Sequence, residues 1–427
     1  MPVYLDHAAT TPMLPVAREA YVDALGVVGN PSSIHSQGQQ AKRLLEESRE
    51  VVAASLGAEP VEVIFTSGGT ESINLGVKGL YWKRASSAAA TSAGQSRRVV
   101  LVPGGEHHAT VDAVSWLASH EGAEVVTLPV DEVGRLQPAV LDAALAEHGA
   151  SVALVGVLWA NNEVGTINDV AALVAVARGY GVPVHVDAVA AYGYLPIGFD
   201  ALGAAALSVS AHKIGGPVGI GALVLARAWE VEPLIHGGNQ QRVRSGTQDV
   251  AGAVGFAAAA GAASAGAAEA GALAGAAYAG SGALAGASSN GAEGGFLEEL
   301  AGLRDRLIAG VRAAVPEAVL RGDATSGGRL PGNAHFTFPG CDGDSLLFLL
   351  DLAGFSVSTG SACQAGVPEI SHVLLAMGVP SDEARGALRF TLGHGTTAAD
   401  VDALVAALPA AYAAALRAGH STRATTR

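Results

Sequence analysis

Short apolar runs alternate with helix-like amphipathic segments through the first half of the chain, and this alternation most constrains the fold. The strand-like runs lie at residues 61–65, 99–102, 125–128, 152–159, 184–187, 206–209 and 222–225. Amphipathic segments, such as residues 40–56 and 171–179, lie between them. The alternation predicts an α/β fold with a mostly parallel sheet that helices cover on both faces. In such sheets ligands bind beyond the carboxyl ends of the strands.

Length and composition limit the class of protein. A chain of 427 residues is long enough for a large core and for two domains. Half of the residues are hydrophobic and 15% are charged, which is typical of a globular protein. The formal net charge of -14 argues against direct nucleic-acid binding, because phosphate backbones require clustered Lys and Arg.

The cellular compartment is inferred from the cysteines and the N-terminus. Two cysteines, Cys341 and Cys363, are too few to staple a large fold, and they favour a reducing compartment. Residues 1–7 lack the basic and apolar regions of a signal peptide, and the longest strongly apolar run, residues 152–160, is too short to span a membrane. We therefore expect a cytoplasmic protein without a membrane segment.

Residues 251–295 differ from the rest because they are almost entirely Ala, Gly and Ser. Their start could be helical, but the stretch offers little large apolar surface for packing, so we place an Ala/Gly-rich insertion at residues 256–295 and expect part of the stretch to be a mobile surface insertion. Residues 296–315 then form an amphipathic pattern typical of a helix. We predict a large domain at residues 16–255 and a smaller α+β domain at residues 296–427. Residues 1–15 are expected to pack with the smaller domain.

Two strand-to-loop junctions carry residues suited to chemistry. Residues 66–72, Thr-Ser-Gly-Gly-Thr-Glu-Ser, combine glycines, hydroxyls and a helix start, which favours an anion but is also typical of an ordinary capped turn. Lys213 follows the strand at residues 206–209 and precedes two glycines. A lysine desolvated there could form a Schiff base with a carbonyl cofactor, although most lysines are solvated surface groups.

Two further junctions complete the pattern. Asp187 ends a buried strand, where its carboxylate could pair with a protonated ring nitrogen or could simply cap the next helix. Asn161 and Asn162 supply amides at another strand end. Phosphate donors, a lysine, an aspartate and amides at one edge of one sheet are the groups that pyridoxal phosphate requires.

With these motifs in place, the chain resembles a cysteine desulfurase of the aminotransferase class V type, close to the group that feeds iron–sulfur assembly and tRNA thiolation. The matching stretches occur in the expected order at residues 4–12, 29–35, 66–72, 106–107, 161–165, 185–188, 210–216, 244–247, 360–363 and 389–393. They span nearly the whole chain apart from the Ala/Gly-rich stretch. The resemblance implies a pyridoxal-phosphate-dependent fold of type I and a homodimer.

The resemblance also implies the roles of individual residues. Lys213 would hold the cofactor covalently, Asp187 would pair with its ring nitrogen, and His107 would stack on the ring and shuttle protons. The implied phosphate ligands are Gly69, Thr70, Ser210 and His212, with Thr247 contributed by the second subunit. The implied substrate ligands are Asn162 and Arg389 for the carboxylate of L-cysteine, with Asn30 at the edge of the site. Asn162 would also contact the cofactor.

Cys363 is the implied sulfur acceptor. Its thiolate would attack the substrate sulfur, so that L-alanine is released and a persulfide remains for transfer to an acceptor protein. The residues around it, Gly-Ser-Ala-Cys-Gln-Ala-Gly, are small or polar, which suits a mobile loop better than a core position. Cys341 matches no motif and is interpreted as incidental. No metal site is predicted, because the adjacent His107 and His108 would project apart.

Two positions depart from the family pattern. Ala190 stands where the family usually has a Gln that contacts the ring hydroxyl, so cofactor binding should be weaker. Ile370 stands where Pro is common, and it should affect only the end of the cysteine loop.

Two alternatives remain open from the sequence. One is another class V reaction, such as that of a selenocysteine lyase or a transaminase; the Cys363 loop favours the desulfurase, since transamination needs no thiol. The other is a sulfur-relay scaffold that has lost catalysis, which Ala190 suggests. The absence of a borohydride-trapped adduct at Lys213 would favour the scaffold.

Overall fold

The computed structural model describes residues 2–86, 97–238, 243–274, 295–360 and 370–424. Its strands are β1 (Val3–Tyr4), β2 (Val63–Thr66), β3 (Val99–Pro103), β4 (Glu124–Leu128), β5 (Val152–Leu158), β6 (Val184–Asp187), β7 (Ala206–Ser210), β8 (Gly221–Leu225), β9 (Val319–Arg321), β10 (Asn333–Thr337), β11 (Phe355–Ser356) and β12 (Ala387–Thr391). Its α-helices are α1 (Pro15–Leu25), α2 (Ser36–Ser55), α3 (Gly69–Ala85), α4 (His108–Glu121), α5 (Pro138–His148), α6 (Val170–Gly179), α7 (Phe199–Leu202), α8 (Val250–Ala274), α9 (Phe296–Ala314), α10 (Gly343–Leu352), α11 (His372–Ala376), α12 (Ser381–Ala384) and α13 (Ala398–Ala424).

The large sheet has the predicted, mostly parallel topology. Within the described ranges seven strands pair in the order β2-β8-β7-β6-β5-β3-β4, and β8 runs antiparallel to both of its neighbours. All seven strand-like runs of the sequence occur in it. The sheet confirms the α/β fold class.

Side chains alternate between the two faces of this sheet, and each face has its own core. Val63, Phe65 and Leu101 face one side, in the core that also buries residues of α2, α5, α6 and α8. Val100 and Val102 face the other side, where they pack with α3 and α4. Burial of both faces explains why the strands are continuous apolar runs in the sequence.

The Ala/Gly-rich stretch departs from expectation at its start. Helix α8 covers the first part of it, and Ala253, Ala257 and Ala260 are buried in the core of the large sheet. Phe256 is fully buried among the same residues, with its ring centroid 6.4 Å from that of Phe65. Residues 256–260 therefore pack against the core, whereas Gly261 and Ala262 are exposed.

The small side chains of α8 are what allow this packing. A Cβ added at Gly255 would lie 2.7 Å from Cγ of Pro217 and 3.0 Å from Cβ of Tyr21. The helix lies close to α1 and α2 because it carries so little side-chain volume there. The sequence predicts poor packing from the small side-chain volume of this stretch, but in the structure the small side chains allow the helix to pack closely against its neighbours.

The C-terminal region has its own antiparallel sheet, and the N-terminal segment joins it. In the part of this region that the structure describes, β12, β10 and β9 form a three-stranded sheet, and β1 pairs in parallel with β11. Leu5 is buried in the same core as Phe336 and Phe390. The first residues of the chain thus contact the C-terminal sheet before they pass towards Lys213.

Helix α13 contains one stretch, Ala398–Ala418, that is long and apolar enough to cross a membrane by length and composition. Its buried residues recur at intervals of three and four and pack in the C-terminal core: Val401, Leu404, Leu408, Ala411 and Ala415. This buried face contacts α9 and α10. One face of the helix therefore packs in the C-terminal core.

Candidate active site

The loops that follow β2, β5, β6 and β7 leave the same edge of the large sheet. Asp187 at the end of β6 is in register with Leu158 of β5 and with Ser208 of β7. A Cβ added at Gly69, where α3 begins, would lie 3.6 Å from Cβ of Ser210 at the end of β7. The four junctions singled out in the sequence therefore meet in space, as a parallel sheet requires.

Lys213 lies in a short 3₁₀ turn, Ala211–Lys213, directly after β7. Its Nζ donates hydrogen bonds to the carbonyl oxygens of Ala8 and Ala9, the latter at 3.0 Å. Burial, together with the positive charge of Arg389, lowers the pKa of Lys213 to about 8. A useful fraction of this amine is therefore uncharged, and nucleophilic, near neutral pH.

Asp187 and Glu106 form a buried acidic pair beneath this lysine. Oδ1 of Asp187 accepts a hydrogen bond of 2.9 Å from the backbone N–H of Val189, and burial raises its pKa to about 6. Oε1 of Glu106 accepts one of 2.7 Å from the N–H of Leu158. Burial, together with the charge of Asp187, raises the pKa of Glu106 to about 8. At neutral pH Glu106 is therefore mostly protonated and Asp187 mostly ionised.

His107 is held as a neutral imidazole at the start of α4. Its Nδ1 accepts a hydrogen bond of 3.1 Å from the backbone N–H of Ala109, so the ring proton is on Nε2. Burial lowers the pKa of His107 to about 4, and the charge of Lys213 acts in the same direction. The ring is thus fixed in one tautomer close to the lysine.

An anion cradle lies between α3 and the end of β7. Gly68 has a φ of 147°, which lets the chain turn into α3 at Gly69. Oγ of Ser210 is buried and has no hydrogen-bond partner among the described residues. An unpaired hydroxyl beside the N–H groups of a helix start is a favourable site for phosphate. Thr70 is exposed at the same helix start.

His212 lies beside the N-terminal segment on the outer side of Lys213. Its Nδ1 is 3.2 Å from Oγ1 of Thr10. Burial lowers the pKa of His212 to about 4, so at neutral pH it is an uncharged hydrogen-bonding group. As a phosphate ligand it would therefore act through a hydrogen bond rather than through charge.

Arg389 on β12 reaches the same place from the C-terminal domain, but its outer nitrogens already have partners. Nη1 donates to the backbone oxygen of Asn162 at 2.9 Å, and Nη2 donates to Oδ1 of Asp6 at 2.8 Å. Nε is buried with no hydrogen-bond partner in the described part of the chain. The two terminal guanidinium nitrogens, which are predicted to bind the substrate carboxylate, are therefore bonded in this arrangement to the Asn162 backbone and to Asp6.

Cys363 lies outside the described residues, but residues on both sides of it are described. A Cβ added at Gly360 would lie 3.3 Å from Nε2 of His335 and 3.5 Å from Oε2 of Glu163. Oγ of Ser371 donates to the same Glu163 oxygen at 2.5 Å. Gly360 and Ser371, which lie on either side of residues 361–369, are therefore both close to the buried carboxylate of Glu163.

Ile370, the second departure from the family pattern, and Cys341, the second cysteine, both have apolar surroundings. Ile370 packs against the apolar cluster that contains Val164 and Val373. Cys341 is buried, and burial together with the charge of Asp342 raises its pKa to about 11. Its thiol is therefore protonated and inert near neutral pH.

A cavity of about 30 Å³ adjoins Lys213. Lys213, Asn162 and Ala190 line it together with His7, Ala8, Tyr194, Leu330, Gly332, Asn333, Thr391 and Leu392. The small side chain at position 190 thus faces open space next to the lysine. Asn30 and Thr247 do not line this cavity; both are exposed, and Oδ1 of Asn30 accepts from the N–H of Ser32.

Metal binding has no support in the described residues, where no group of three or more His, Cys, Asp and Glu side chains is placed to hold an ion. The rings of His107 and His108 are 6.4 Å apart and inclined by 72°. His372, rather than His107, lies against His108, at 4.7 Å between ring centroids.

Sequence reasoning missed three residues of this site. Asp6 binds Arg389, Glu106 lies against Asp187, and Glu163 contacts the residues that flank the cysteine segment. All three lie within the motif stretches, and this position was the one signal in the sequence that could have marked them as site residues. Their roles depend on contacts between segments far apart in the chain, which no local pattern reveals.

Comparison with known proteins gives one consistent result. A family model described as Aminotransferase class-V matches residues 3–404. The IscS-like cysteine desulfurase of Mycobacterium tuberculosis is 50% identical over 416 residues, which is 97% of this chain and 97% of that protein. A solved NifS-like protein superposes with a TM-score of 0.80 at 32% identity and covers 96% of this chain and 99% of its own. A solved structure of SspA in complex with cysteine superposes with a TM-score of 0.71 at 27% identity, over 91% of this chain and 98% of its own.

These matches extend through the large sheet, the lysine turn and most of the C-terminal domain, so they apply to the whole site rather than to one module. The chain belongs to the aminotransferase class-V family and, within it, to the cysteine desulfurases.

Proposed function

We propose that this protein removes sulfur from L-cysteine with pyridoxal 5′-phosphate as cofactor, releasing L-alanine and leaving a persulfide on Cys363. The observation that carries the proposal is the buried Lys213 amine, which lies at the sheet edge between Asp187 and the unpaired Ser210 hydroxyl. This combination offers a nucleophilic amine, a carboxylate and an anion cradle within one site.

The residues present fit the cofactor. Gly69, Thr70, Ser210 and His212 would hold its phosphate at the start of α3, and Asp187 would pair with its ring nitrogen. His107 would lie against the ring, and Asn162 would contact its edge. Pyridoxal phosphate supplies a carbonyl that captures amines and a ring that draws electrons away from the bonds of the captured carbon.

Lys213 serves as the attachment point and as a base. Burial keeps part of its amine uncharged at neutral pH, which attack on a carbonyl requires. The carbonyl oxygens of Ala8 and Ala9 accept hydrogen bonds from Nζ and orient the amine. Once the substrate amine has replaced it, the free Lys213 amine is positioned to accept a proton from the substrate.

His107 would contribute a hydrogen-bond donor beside the ring. Its Nδ1 accepts from the backbone N–H of Ala109, so the ring proton is on Nε2, and a proton shuttle through His107 would require the bond to Ala109 to open and free Nδ1. Burial favours the neutral imidazole, which suits a hydrogen-bond donor.

Arg389 would bind the substrate carboxylate. Since Nη2 is paired with Asp6, we infer that the substrate carboxylate replaces Asp6 on the guanidinium. The substrate carboxylate thereby substitutes for that of the half-buried Asp6, and the buried arginine does not lose a partner at any stage. Asn30 would lie at the edge of the same subsite.

The sulfur step balances without an external oxidant. The thiolate of Cys363 forms a bond to the sulfur of the substrate, and the bond between that sulfur and the substrate carbon breaks. The electron pair stays with the carbon, which takes up one proton to become the methyl group of L-alanine. Cys363 then carries a persulfide, and the outer sulfur of this persulfide is the sulfane sulfur that can be transferred.

The persulfide would pass to an acceptor protein of iron–sulfur cluster assembly or tRNA thiolation. We further propose a cytoplasmic homodimer in which Thr247 of one subunit reaches the phosphate of the other. The exposure of Thr247 supports this arrangement, because the side chain is available to a second chain.

Release of alanine from cysteine tests the proposal. The wild type and Cys341→Ser should release alanine at equal rates, because the Cys341 thiol is buried and protonated. Cys363→Ser should lose this activity. A fully active Cys363→Ser enzyme would instead favour another class V reaction, and an inactive wild type that binds no cofactor would favour the scaffold.

A further inference from the structure

A second cavity, which we call the arginine groove, lies on the C-terminal domain between α9 and residues 320–329. Its volume is about 360 Å³, and it shares none of its lining residues with the cavity beside Lys213. Three arginines line it: Arg304, Arg312 and Arg329. The proposed desulfurase reaction uses none of them.

Two of the arginines lie on one face of α9. Arg304, Ile308 and Arg312 recur at intervals of four residues, which places them on one side of the helix. Arg312 is exposed and makes no ion pair with any residue in the described ranges. In a chain with a net charge of -14, such a concentration of cations creates a locally positive site.

Arg329 closes the groove from the opposite side and has unused hydrogen-bonding capacity. It is only 4% exposed. Its Nε donates to the backbone oxygen of Asp323 at 2.9 Å, and its Nη2 donates to that of Arg321. Its Nη1 is buried with no hydrogen-bond partner among the residues that the structure describes. A buried cationic N–H group without an acceptor is costly, and an anion in the groove would remove this cost.

Both carboxylates of the groove have partners: that of Asp323 lies partly outside the groove, and that of Asp305 is the groove residue Arg304. Asp323 accepts hydrogen bonds from the backbone and the hydroxyl of Thr325, at 2.8 and 2.7 Å, and it forms an ion pair with Arg135. Asp305 is paired with Arg304 at 2.8 Å. Neither carboxylate therefore neutralises Arg312 or reaches Nη1 of Arg329.

We propose that the arginine groove binds a small organic anion. Its phosphate or carboxylate group is held by the guanidinium groups of Arg312 and Arg329, which match the planar geometry of such oxyanions. Arg304 lines the groove beside them, with its guanidinium bonded to Asp305 and to the backbone oxygen of Leu330. Its apolar part lies against Ile308 and Leu320, which line the same groove. The volume is within the range of small-molecule sites, which favours a metabolite over a macromolecular segment.

Calorimetric titration of the holoenzyme tests this site. Inorganic pyrophosphate represents the phosphate class and citrate the carboxylate class; at least one of them should bind saturably, and more weakly as NaCl is added. Binding of pyrophosphate alone would assign the site to phosphates, and binding of citrate alone to carboxylates. Working with cofactor-loaded protein keeps the phosphate cradle at Ser210 filled.

Arg312→Gln should weaken binding about tenfold, since one charge-assisted contact is lost. This variant should fold normally, because the residue is exposed and unpaired. Arg306→Gln is the matched control: Arg306 lies on the same helix but outside the groove, with its Nε 2.6 Å from Asp402. The proposal is overturned if neither anion saturates the wild type, if Arg312→Gln binds as the wild type does, or if Arg306→Gln weakens binding equally.

Discussion

The active site and the arginine groove each bury a basic side chain, but the outcome differs. Burial lowers the pKa of Lys213 to about 8, so that near neutral pH part of its amine is uncharged. Burial lowers the pKa of Arg329 to about 10, and the guanidinium stays charged. The same desolvation makes a nucleophile of the lysine and leaves the arginine as a fixed cation.

The surroundings of the two residues add to this contrast. Lys213 donates to two backbone carbonyls that it can leave when a carbonyl cofactor arrives. Arg329 is bound to two backbone carbonyls and lacks an acceptor for Nη1. One site is therefore suited to covalent chemistry and the other to reversible binding of an anion.

The largest expected effect is that of Lys213→Arg. An arginine at this position would stay charged and could not attack a carbonyl, so alanine release should fall by roughly 10^4-fold, as in other enzymes that lose a catalytic nucleophile. Borohydride treatment should no longer fix the cofactor to the protein. A Lys213→Arg enzyme with near-normal activity would refute the assignment of the lysine.

Arg389→Gln should have the next largest effect. The loss of a charge-assisted contact with the substrate carboxylate should raise the KM for cysteine by roughly tenfold to hundredfold. Steady-state kinetics would show it, with the exposed Arg385→Gln on the same domain as control. An unchanged KM would mean that the guanidinium keeps Asp6 as its partner and does not bind the substrate.

Arg329→Lys tests the other half of the comparison. A lysine cannot reproduce the two backbone hydrogen bonds and would be more costly to bury, so the free energy of unfolding should fall by about 1–3 kcal/mol. Denaturant unfolding measures this change. Alanine release at saturating cysteine should stay at the wild-type rate, and a large loss of kcat would show that the two sites are not independent.

The active site and the arginine groove should also differ in how their activities depend on pH. Because the pKa of Lys213 is lowered, the reactive uncharged form increases as pH rises through about 8, and so should the rate of cofactor loading into the apo-protein. The unfolded chain has the lysine pKa of 10.5, so between about 8 and 10.5 it holds a proton that the folded apo-protein lacks. The contribution of Lys213 to the free energy of unfolding therefore rises with pH in that window. Anion binding at the arginine groove should change little between pH 7 and about 8, since the guanidinium groups stay charged.

Ala190→Gln should have the smallest effect. The longer side chain would enter the cavity of about 30 Å³ beside Lys213 and supply the amide that the family pattern has there. One added hydrogen bond should slow the loss of cofactor about fivefold. Dialysis followed by absorbance of the retained cofactor measures it, and faster loss would mean that the cavity cannot accommodate the amide.

The sequence predicted those features that depend on local patterns. The seven strand-like runs and the junctions at Ser67, Asp187 and Lys213 follow from apolar periodicity and from the strand-end rule for parallel sheets. The burial of helix α8 does not follow from its composition, because composition does not show that a small residue such as Gly255 lets neighbouring elements pack closely. The ion pair between Asp6 and Arg389 joins segments that are far apart in the chain, and so do the residues of the arginine groove. Contacts of this kind cannot be predicted from the spacing of residues in the sequence.

Locating the transferred sulfur tests the central claim most directly. After a single turnover with less L-cysteine than enzyme, mass analysis of alkylated peptides should find one added sulfur on the peptide that contains Cys363. The Cys341 peptide should be unmodified, because its buried thiol is protonated. Alanine formation with no added sulfur on Cys363, or with the sulfur on Cys341, would contradict the account.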